Sequence, residues 1–450
     1  MSRIKSFGVL AGAAIALASS AGFASDVQNS QRAELLSDAQ NRSSLLAAGA
    51  NAYHENGHFG LTDSAGNNSI NVGLFGQYRH FFNFGNNVED RGNSDFAHGG
   101  QLSRVNMFFF GNVGSPDFSY FIQVGASGLG DFGMGDFDFD NGDGPGANSS
   151  SIDLLDFIGT YNFENGMFFQ FGRGRPLQTF EAAPAQYQQA MERSLAYEML
   201  GTDRQEFFGL GFGQDAIEGM IYFSDGARSA GTDIGAFNSA DWAIGGRING
   251  YFMGTRDQFS GNYPGQSFVG QSAFRGTPDG LRAGIGALWQ SGGDTGFTAD
   301  VDALYVDADI EYRSDGFRAA AHFYYANIDP DQVSSTDHFA FAVRAGYFVD
   351  EQIEIYAGYD GLFFDSDLGI DEDNQNLIRL GVNWFPIERS YAVRVTGEFF
   401  VAFDKTVGLV EANEALTSVG LGSAGLSRHN ILGSDDGSEF GFGIQASLLN

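Results

Sequence analysis

The 450-residue chain contains no cysteine, which excludes a disulfide framework and cysteine-ligated metal or cluster sites. Beyond its first two dozen residues it also lacks a continuous apolar run of the roughly 18 residues that a membrane-spanning helix needs. Lysine is nearly absent, because only Lys5 and Lys405 are lysines among 24 basic residues, and the net charge is −32. Such a chain is not expected to bind nucleic acid through a general basic field.

The N-terminus has the composition of an export signal. Arg3 and Lys5 precede an apolar stretch over residues 7–18, and small residues follow as far as Ala24. A positive start, a short apolar core and a small-residue cleavage site are typical of a secretory signal peptide. We therefore predict that residues 1–24 are a signal peptide and that the remainder crosses the inner membrane.

Residues 25–50 lack strand alternation, and residues 25–55 are predicted to form an N-terminal periplasmic segment. A short helix and a poorly ordered tail both remain open here, since fewer than two heptads are present. The helical alternative depends on apolar or small residues at heptad-like spacing: Leu36, Ala39, Ser43 and Leu46.

From residue 56 onward the chain alternates apolar and polar residues with period two. In the first clear segment Ile70, Val72 and Leu74 share one face. Gln77 and Arg79 share the opposite face. Alternation of this kind places the side chains of a β-strand in two different environments. Sixteen strands are predicted near residues 70–82, 101–113, 117–126, 152–163, 167–174, 206–213, 216–224, 241–252, 280–290, 300–312, 316–326, 338–349, 352–361, 375–385, 390–403 and 438–449.

The connections between these strands are alternately short and long. Short turns at one end and long loops at the other, joining an even number of strands, are typical of a bacterial transmembrane β-barrel. The predicted fold class is therefore all-β, a transmembrane antiparallel barrel of about 16 strands over residues 56–450. One connection, residues 253–279, is long where a short turn is expected.

Four short segments follow one another between the predicted fourth and seventh strands: Arg173-Gly174-Arg175-Pro176, Met191-Glu192-Arg193-Ser194-Leu195, Phe208-Gly209-Leu210-Gly211-Phe212 and Tyr222-Phe223-Ser224-Asp225-Gly226. In this order they resemble the phosphate-selective porin O and P family of outer-membrane proteins. The resemblance implies a homotrimer of 16-stranded barrels in which residues 176–205 fold inward and narrow a channel. It also implies selection of anions such as phosphate by basic residues in the lumen.

Charged residues on the polar strand faces are candidates for the pore lining. An arginine on the lipid face at mid-depth would cost about 2–4 kcal/mol, so these side chains should face the lumen. Two interpretations remain open: the arginines pair with inward acids in a mixed-charge pore, or they form a track for anions. The candidates are Arg79, Arg104, Arg247, Arg282, Arg318, Arg344, Arg379, Arg394, Asp156, Glu218, Glu354 and Glu398.

The narrowest part of a pore decides its selectivity, because rings of arginine favour anions and rings of carboxylate favour cations. If residues 176–205 form the constriction, basic and acidic residues compete within it. Alternatively, the helical stretch over residues 190–200 packs passively against the wall. The constriction candidates are Arg175, Glu181, Glu192, Arg193, Glu198 and Arg204.

The sequence gives only weak indications of metal binding or catalysis. The acidic run from Asp136 to Asp143 alternates like a calcium loop but has Ala147 where such a loop requires a bidentate glutamate. A hydrated acidic loop bridged to lipopolysaccharide by divalent ions is the better interpretation. Neither an H-E-x-x-H nor a G-x-S-x-G motif occurs, so we predict neither an enzyme nor a metal or cofactor site.

The sequence thus predicts a passive outer-membrane channel for small hydrophilic solutes, with anions such as phosphate as one option. The alternative is a plugged surface barrel with a structural or adhesive role for its acidic loops. Expected partners are outer-membrane lipid, lipopolysaccharide and, from the resemblance, two further copies of the chain.

Overall fold

The computed structural model describes residues 50–55, 58–85, 95–127, 151–229, 240–259, 270–292, 300–331, 334–370, 372–418 and 425–450. Three predictions fall outside these ranges. They are the signal peptide, the helical spacing between Leu36 and Leu46, and the acidic run from Asp136 to Asp143. They stay predictions.

The described chain is dominated by long antiparallel strands. In chain order they are β1 (Ala50–Glu55), β2 (His58–Asp63), β3 (Ser69–Phe84), β4 (Phe96–Asn112), β5 (Phe118–Ser127), β6 (Ser151–Asn162), β7 (Met167–Gly174), β8 (Gln205–Gln214), β9 (Ile217–Ser224), β10 (Trp242–Met253), β11 (Gly280–Ser291), β12 (Val301–Ser314), β13 (Phe317–Pro330), β14 (Thr336–Phe348), β15 (Ile353–Phe363), β16 (Asn374–Trp384), β17 (Val393–Ala402) and β18 (Glu439–Leu449).

Strands β3 to β18 form a closed sheet. Each pairs with the next strand along the chain, and β18 closes the sheet on β3, from Phe440 opposite Phe84 to Leu449 opposite Phe75. Every predicted strand overlaps one of these sixteen. The predicted antiparallel barrel of sixteen strands is therefore confirmed.

Alternation divides each strand between the outside and the inside of the barrel. On β3, Leu74 and Tyr78 are about half exposed on the outer face, whereas Gln77 and Arg79 are completely buried inside. Aromatic side chains gather near the strand ends; Phe84, for example, stacks on Phe440 with ring centroids 5.0 Å apart. An apolar outer band bordered by aromatic residues is the arrangement that lipid requires of a spanning barrel.

Tight turns connect β6 to β7 and β12 to β13. Gly166 follows Glu164-Asn165 with φ of 81°, and Gly316 follows Ser314-Asp315 with φ of 74°. Positive φ is disfavoured for residues with a β-carbon, so glycine at these positions lets the chain reverse within a few residues. We call the barrel end that carries these turns the lower end, and the other the upper end.

Strands β1 and β2 form a hairpin beyond the closed sheet. Residues 59–62 of β2 pair with residues 69–72 of β3, just past the point where β18 ends. The segment predicted over residues 25–55 as a tail or a helix therefore ends in a strand, at residues 50–55. The hairpin forms because β3 extends below β18 and leaves an unpaired edge that β2 covers.

Three α-helices occur in the described residues: α1 (Leu195–Leu200), α2 (Arg256–Phe259) and α3 (Val407–Ser418). None of the helices in the described residues has the length and apolar character needed to cross a membrane. Helix α1 begins at Ser194, whose Oγ accepts a hydrogen bond from the Tyr197 N–H at 3.0 Å. A serine at this position satisfies a backbone donor that the first helical turn leaves unpaired.

Candidate functional site

Residues 176–205, which join β7 to β8, cross the interior of the barrel; we call them the crossing segment. The Phe180 N–H donates to Asp309 of β12 at 2.9 Å. Gln189 Nε2 donates to Glu354 of β15 at 2.6 Å. Since β7 and β8 lie side by side, contacts with β12 and β15 carry the segment to the far wall.

The crossing segment is held together by one buried carboxylate. Glu181 accepts hydrogen bonds from the Ser194 N–H at 2.7 Å and from the Ser194 Oγ at 2.6 Å. Burial raises the pKa of Glu181, but the charges of His322 and Arg344 and the bonds from Ser194 lower it further, below its ordinary value. The carboxylate therefore stays charged at neutral pH and joins the two limbs of the segment.

Three ion pairs, made by two residues of the crossing segment, attach it to the near wall. Glu192 accepts a bidentate pair of bonds from Arg104 of β4, at 2.6 and 2.8 Å, and also lies 2.5 Å from Arg79 of β3. Arg204 donates two bonds of 2.9 Å to Asp156 of β6. Bidentate arginine–carboxylate pairs fix both distance and orientation, so they set the gap between segment and wall.

That gap is a polar cavity of about 320 Å³ between the crossing segment and strands β4 to β6. Five of its charged residues are basic and three are acidic: Arg104, Arg175, Arg193, Arg204, Arg428, Asp153, Glu198 and Asp203. We call this cavity the aperture.

The charges around the aperture are unequally exposed. The Arg204 side chain is 22% exposed, whereas its partner Asp156 is only 4% exposed. Arg104 is likewise more exposed than its partner Glu192. The carboxylates of these two pairs therefore lie behind their arginines. In the other two pairs the acid is the more exposed partner, since Asp203 is 34% exposed against 8% for Arg175, and Glu198 is 14% exposed against 7% for Arg193. The lining as a whole still contains two more arginines than acids.

Asp203 is the aperture acid that most directly offsets the excess of positive charge in the lining. It lies 2.5 Å from Arg175 and 3.3 Å from the Tyr197 hydroxyl. Burial raises the pKa of Asp203, but the nearby charge of Arg175, reinforced by Arg204, holds it well below its ordinary value. Both partners are thus charged at neutral pH.

Four of the six predicted constriction residues line the aperture: Arg175, Arg193, Glu198 and Arg204. The other two differ, because Glu181 joins the limbs of the segment and Glu192 lies behind Arg104. Helix α1 belongs to the segment, and its Tyr197 ring packs edge-on against Tyr324 of the wall.

Most of the predicted pore-lining arginines point inward but lie beneath other residues. Arg318 bonds Glu311 at 2.9 Å, and Arg379 bonds Glu398 at 3.0 Å. The guanidinium groups of these two residues form ion pairs with acids of neighbouring strands. They therefore do not form an open track of arginines for anions. Seven of the eight predicted arginines are at least nine-tenths buried: Arg79, Arg247, Arg282, Arg318, Arg344, Arg379 and Arg394. Not all of them pair with a neighbouring strand, because Arg79 and Arg344 pair with acids of the crossing segment and Arg394 donates to the Gln188 carbonyl.

The predicted inward acids are buried as well. Asp156 pairs with Arg204, as described above, and Glu398 accepts the Tyr356 hydroxyl at 2.6 Å in addition to Arg379. Glu218 accepts bonds from Arg256, Asn249 and Tyr251. Glu354 accepts bonds from Gln189, Ser272 and Asn383. These carboxylates join neighbouring strands of the wall to one another and to the segments that cover them.

One buried cluster anchors the start of the crossing segment. Arg282, Arg313 and Arg318 surround the single carboxylate of Glu311. The Phe180 ring lies over all three guanidinium groups, with the Arg282 carbon 3.8 Å from the ring centroid. Cation–π contacts of this kind become stronger when solvent is excluded.

Two further connections fold into the barrel. At the upper end, the β17–β18 connection brings α3 and His429 inside, and the His429 ring meets Arg379 at 3.0 Å. At the lower end, residues 270–279 precede β11, and Gln271 N–H donates to the Tyr187 carbonyl at 2.7 Å. The long lower connection noted in the sequence therefore contacts the crossing segment from below.

Sequence reasoning missed Arg428 and Asp153 as aperture residues. Arg428 lies in a 3₁₀-helix of only four residues, Leu426–His429, which is too short to show periodicity, and its position near β4 depends on how the β17–β18 connection folds. Asp153 lies near a bulge in the β5–β6 pairing, where the register shifts between Gln123 and Val124. Among the described residues, no cluster of three or more histidine, aspartate or glutamate side chains could hold a metal ion.

Comparisons with known proteins point to the same fold. No protein-family model and no curated protein matches the chain. Among solved structures, it is similar to an anion-selective porin from Comamonas acidovorans, with a TM-score of 0.53 at 12% identity, covering 85% of this chain and 100% of that one. It is also similar to OmpF of Salmonella typhi in complex with daunomycin, with a TM-score of 0.51 at 12% identity, covering 85% and 99%. The outer membrane channel DcaP of Acinetobacter baumannii gives 0.50 at 13% identity, covering 86% and 99%. The chain therefore has a porin-like fold.

Proposed function

We propose that the protein is an outer-membrane channel for small hydrophilic solutes and that solutes pass through the aperture. An apolar outer band supports residence in a bilayer, and a polar, charged gap inside supports passage of water-soluble molecules. The porin-like fold and the predicted export signal agree with this location in a Gram-negative bacterium.

We further propose that the aperture favours anions. The observation that carries this proposal is its lining of five arginines against three acids, because Glu192 and Asp156, the partners of Arg104 and Arg204, lie behind these arginines and outside the lining. Such an excess of guanidinium groups at a narrow point attracts anions and repels cations. Phosphate, suggested by the family resemblance, is one candidate, since arginine suits phosphate geometry.

The zero-current potential of the purified protein in planar bilayers under a KCl gradient tests this proposal. We expect preference for chloride, reduced in Arg428→Ala, because that exposed arginine lines the aperture. The matched control is Lys405→Ala, which removes an exposed positive charge elsewhere at the upper end. Cation preference in the unmodified protein would refute the anion proposal and leave a general pore.

A second candidate is a plugged barrel with a structural or adhesive role. It is favoured by the packing of α3 and the crossing segment into one continuous apolar cluster with the wall, including Leu409, Leu195 and Leu362. Liposome swelling separates the two: swelling in small sugars requires an open path, and its absence at verified insertion would favour the plugged barrel. Homotrimer assembly remains a proposal that rests on the family resemblance, and chemical cross-linking in detergent would test it.

A further inference from the structure

The outer face of the barrel carries an apolar groove across strands β13 to β18, with a volume of about 630 Å³. Small residues form its floor: Ala345 and Ala357 lie directly opposite each other on β14 and β15, and Gly397 lies on β17. Aromatic rings border it, among them Tyr347 and Phe399.

A second, charged cavity lies at the lower rim, and the contact between Tyr347 and Arg275 links it to the groove. Tyr347 lines the groove, and its hydroxyl accepts a bond of 2.9 Å from Arg275, whose guanidinium also lies over the ring at 4.7 Å. The Arg389 guanidinium lies against Gly276, close enough that a β-carbon there would come within 3.2 Å of both of its terminal nitrogens. Two guanidinium groups thus flank Gly276 at the foot of the groove.

The same rim cavity contains acids. Asp350 and Glu351 line it together with Arg275 and Arg389, and Asp315 lies 4.0 Å from Arg275. The charges are therefore mixed: a ligand that fits them carries an anionic and a cationic group close together, with an apolar body extending into the groove.

The surroundings of the groove favour lipid over a second copy of the chain. Every outward position on the middle of β13 to β18 holds an apolar or aromatic residue or glycine, the surface that a bilayer requires. On the other side of the barrel, Arg173 and Glu206 face outward as a cross-strand pair. Charged groups of that kind are costly against lipid, whereas the groove has none among its lining residues.

We propose that the groove and the rim cavity bind one phospholipid with an ammonium-bearing headgroup. Its acyl chains lie over Ala345, Ala357 and Gly397, its phosphate accepts hydrogen bonds from Arg275 and Arg389, and its ammonium faces Asp350 and Glu351. Guanidinium–phosphate hydrogen bonds are charge-assisted, and each methylene group of the acyl chains that the groove buries adds to the affinity.

Native mass spectrometry of the full-length protein in detergent, with defined lipids added, tests this proposal. We expect an adduct with phosphatidylethanolamine and about tenfold weaker binding of diacylglycerol, which lacks the phosphate, since charge-assisted hydrogen bonds are worth this much. Phosphatidylglycerol should also bind more weakly because it lacks the ammonium. Equal binding of all three lipids would overturn the proposal.

Variants distinguish the contribution of the headgroup contact to lipid binding from that of the groove. Arg389→Ala removes an exposed side chain and should weaken the phosphatidylethanolamine adduct several-fold, whereas Lys405→Ala at the opposite rim should leave it unchanged. Ala357→Trp fills the groove from the outside and should abolish the adduct. If Ala357→Trp instead changes the mass of the assembly and leaves lipid binding intact, the groove is a contact between copies and the proposal fails.

Discussion

Glu192→Gln tests whether one carboxylate holds the crossing segment in place. Glu192 is 2% exposed and pairs with both Arg79 and Arg104, at 2.5 and 2.6 Å. The substitution keeps the side-chain shape but removes the charge that compensates two buried guanidinium groups. Breaking a buried ion pair costs about 3–5 kcal/mol, and the glutamine carbonyl recovers about 1 kcal/mol by accepting one bond. We expect a loss of about 2–4 kcal/mol in the free energy of unfolding.

The matched control is Glu198→Gln in the same segment. Glu198 also lines the aperture, but it is 14% exposed and makes one ion pair, with Arg193 at 3.5 Å. A partly exposed pair of this length is worth less than about 1 kcal/mol. Both substitutions remove one negative charge near the aperture, so both should increase the preference for chloride in the zero-current potential.

Only Glu192→Gln should also loosen the segment and raise single-channel conductance. Urea unfolding in liposomes measures the stability difference, and planar-bilayer recordings measure conductance. Equal stability of the two variants, or unchanged conductance in Glu192→Gln, would refute the conclusion that the Arg79–Glu192–Arg104 contact sets the width of the aperture.

Three further predictions concern the charges inside the barrel. Arg318→Ala should lower the free energy of unfolding by about 3 kcal/mol and leave selectivity unchanged, because the side chain is buried against Glu311 and not exposed to the aperture; a shift in zero-current potential at normal stability would contradict this. Arg204→Ala should shift selectivity toward cations, because it uncovers Asp156, and the zero-current potential measures this shift. Burial raises the pKa of Glu192, but Arg104 and then Arg79 lower it well below its ordinary value, so its stabilisation should be complete above about pH 5 and be lost as pH falls below about 4. Unfolding of the unmodified protein and of Glu192→Gln across this range should therefore converge at low pH.

The barrel could be predicted from the sequence because each strand position has only two possible environments. Lipid on one side and a polar interior on the other impose a period of two, and a shift of one residue would reverse every side chain. The same argument places Arg79 and Arg318 on the inner face, and the structure has both side chains buried there. It carries no information on what covers an inward side chain, so buried arginines could not be distinguished from exposed ones.

The crossing segment shows why the sequence could not distinguish buried from exposed inward arginines. Glu192 and its partner Arg104 are 88 residues apart, and neither lies in a pattern that specifies the other. The segment has no long periodic element, since α1 contains only six residues. Its path depends on many individual hydrogen bonds to the wall, which local sequence does not encode. Arg428, from the β17–β18 connection, was missed for the same reason.

The β1–β2 hairpin differs from the crossing segment, because the local sequence contains a motif that indicates a hairpin. Asn56-Gly57 stands between the two strands, and this dipeptide is the strongest short-range indication of a hairpin. The strands themselves are only six residues long and include His54 and Glu55, so their apolar alternation is weak. The Asn-Gly dipeptide was therefore the more informative feature of the sequence here.

The β17–β18 connection provides a test of how the upper part of the interior is closed. Its ends meet, because the Val407 N–H donates to the Ser434 carbonyl at 3.1 Å. Residues 408–433 can therefore be replaced by two glycines without displacing β17 or β18. The deletion removes most of α3, including Leu409 and Leu416, which are buried in the apolar cluster inside the wall.

This deletion should raise conductance and reduce the preference for anions, for separate reasons. Conductance rises because the helix no longer occupies the interior, whereas anion preference falls because Arg428 leaves the aperture with it. Arg428→Ala in the intact protein removes the charge alone, so it should change selectivity at nearly constant conductance. If the deletion changes selectivity to the same extent as Arg428→Ala but leaves conductance unaltered, α3 does not narrow the path. The crossing segment would then be the one element limiting flow among the described residues.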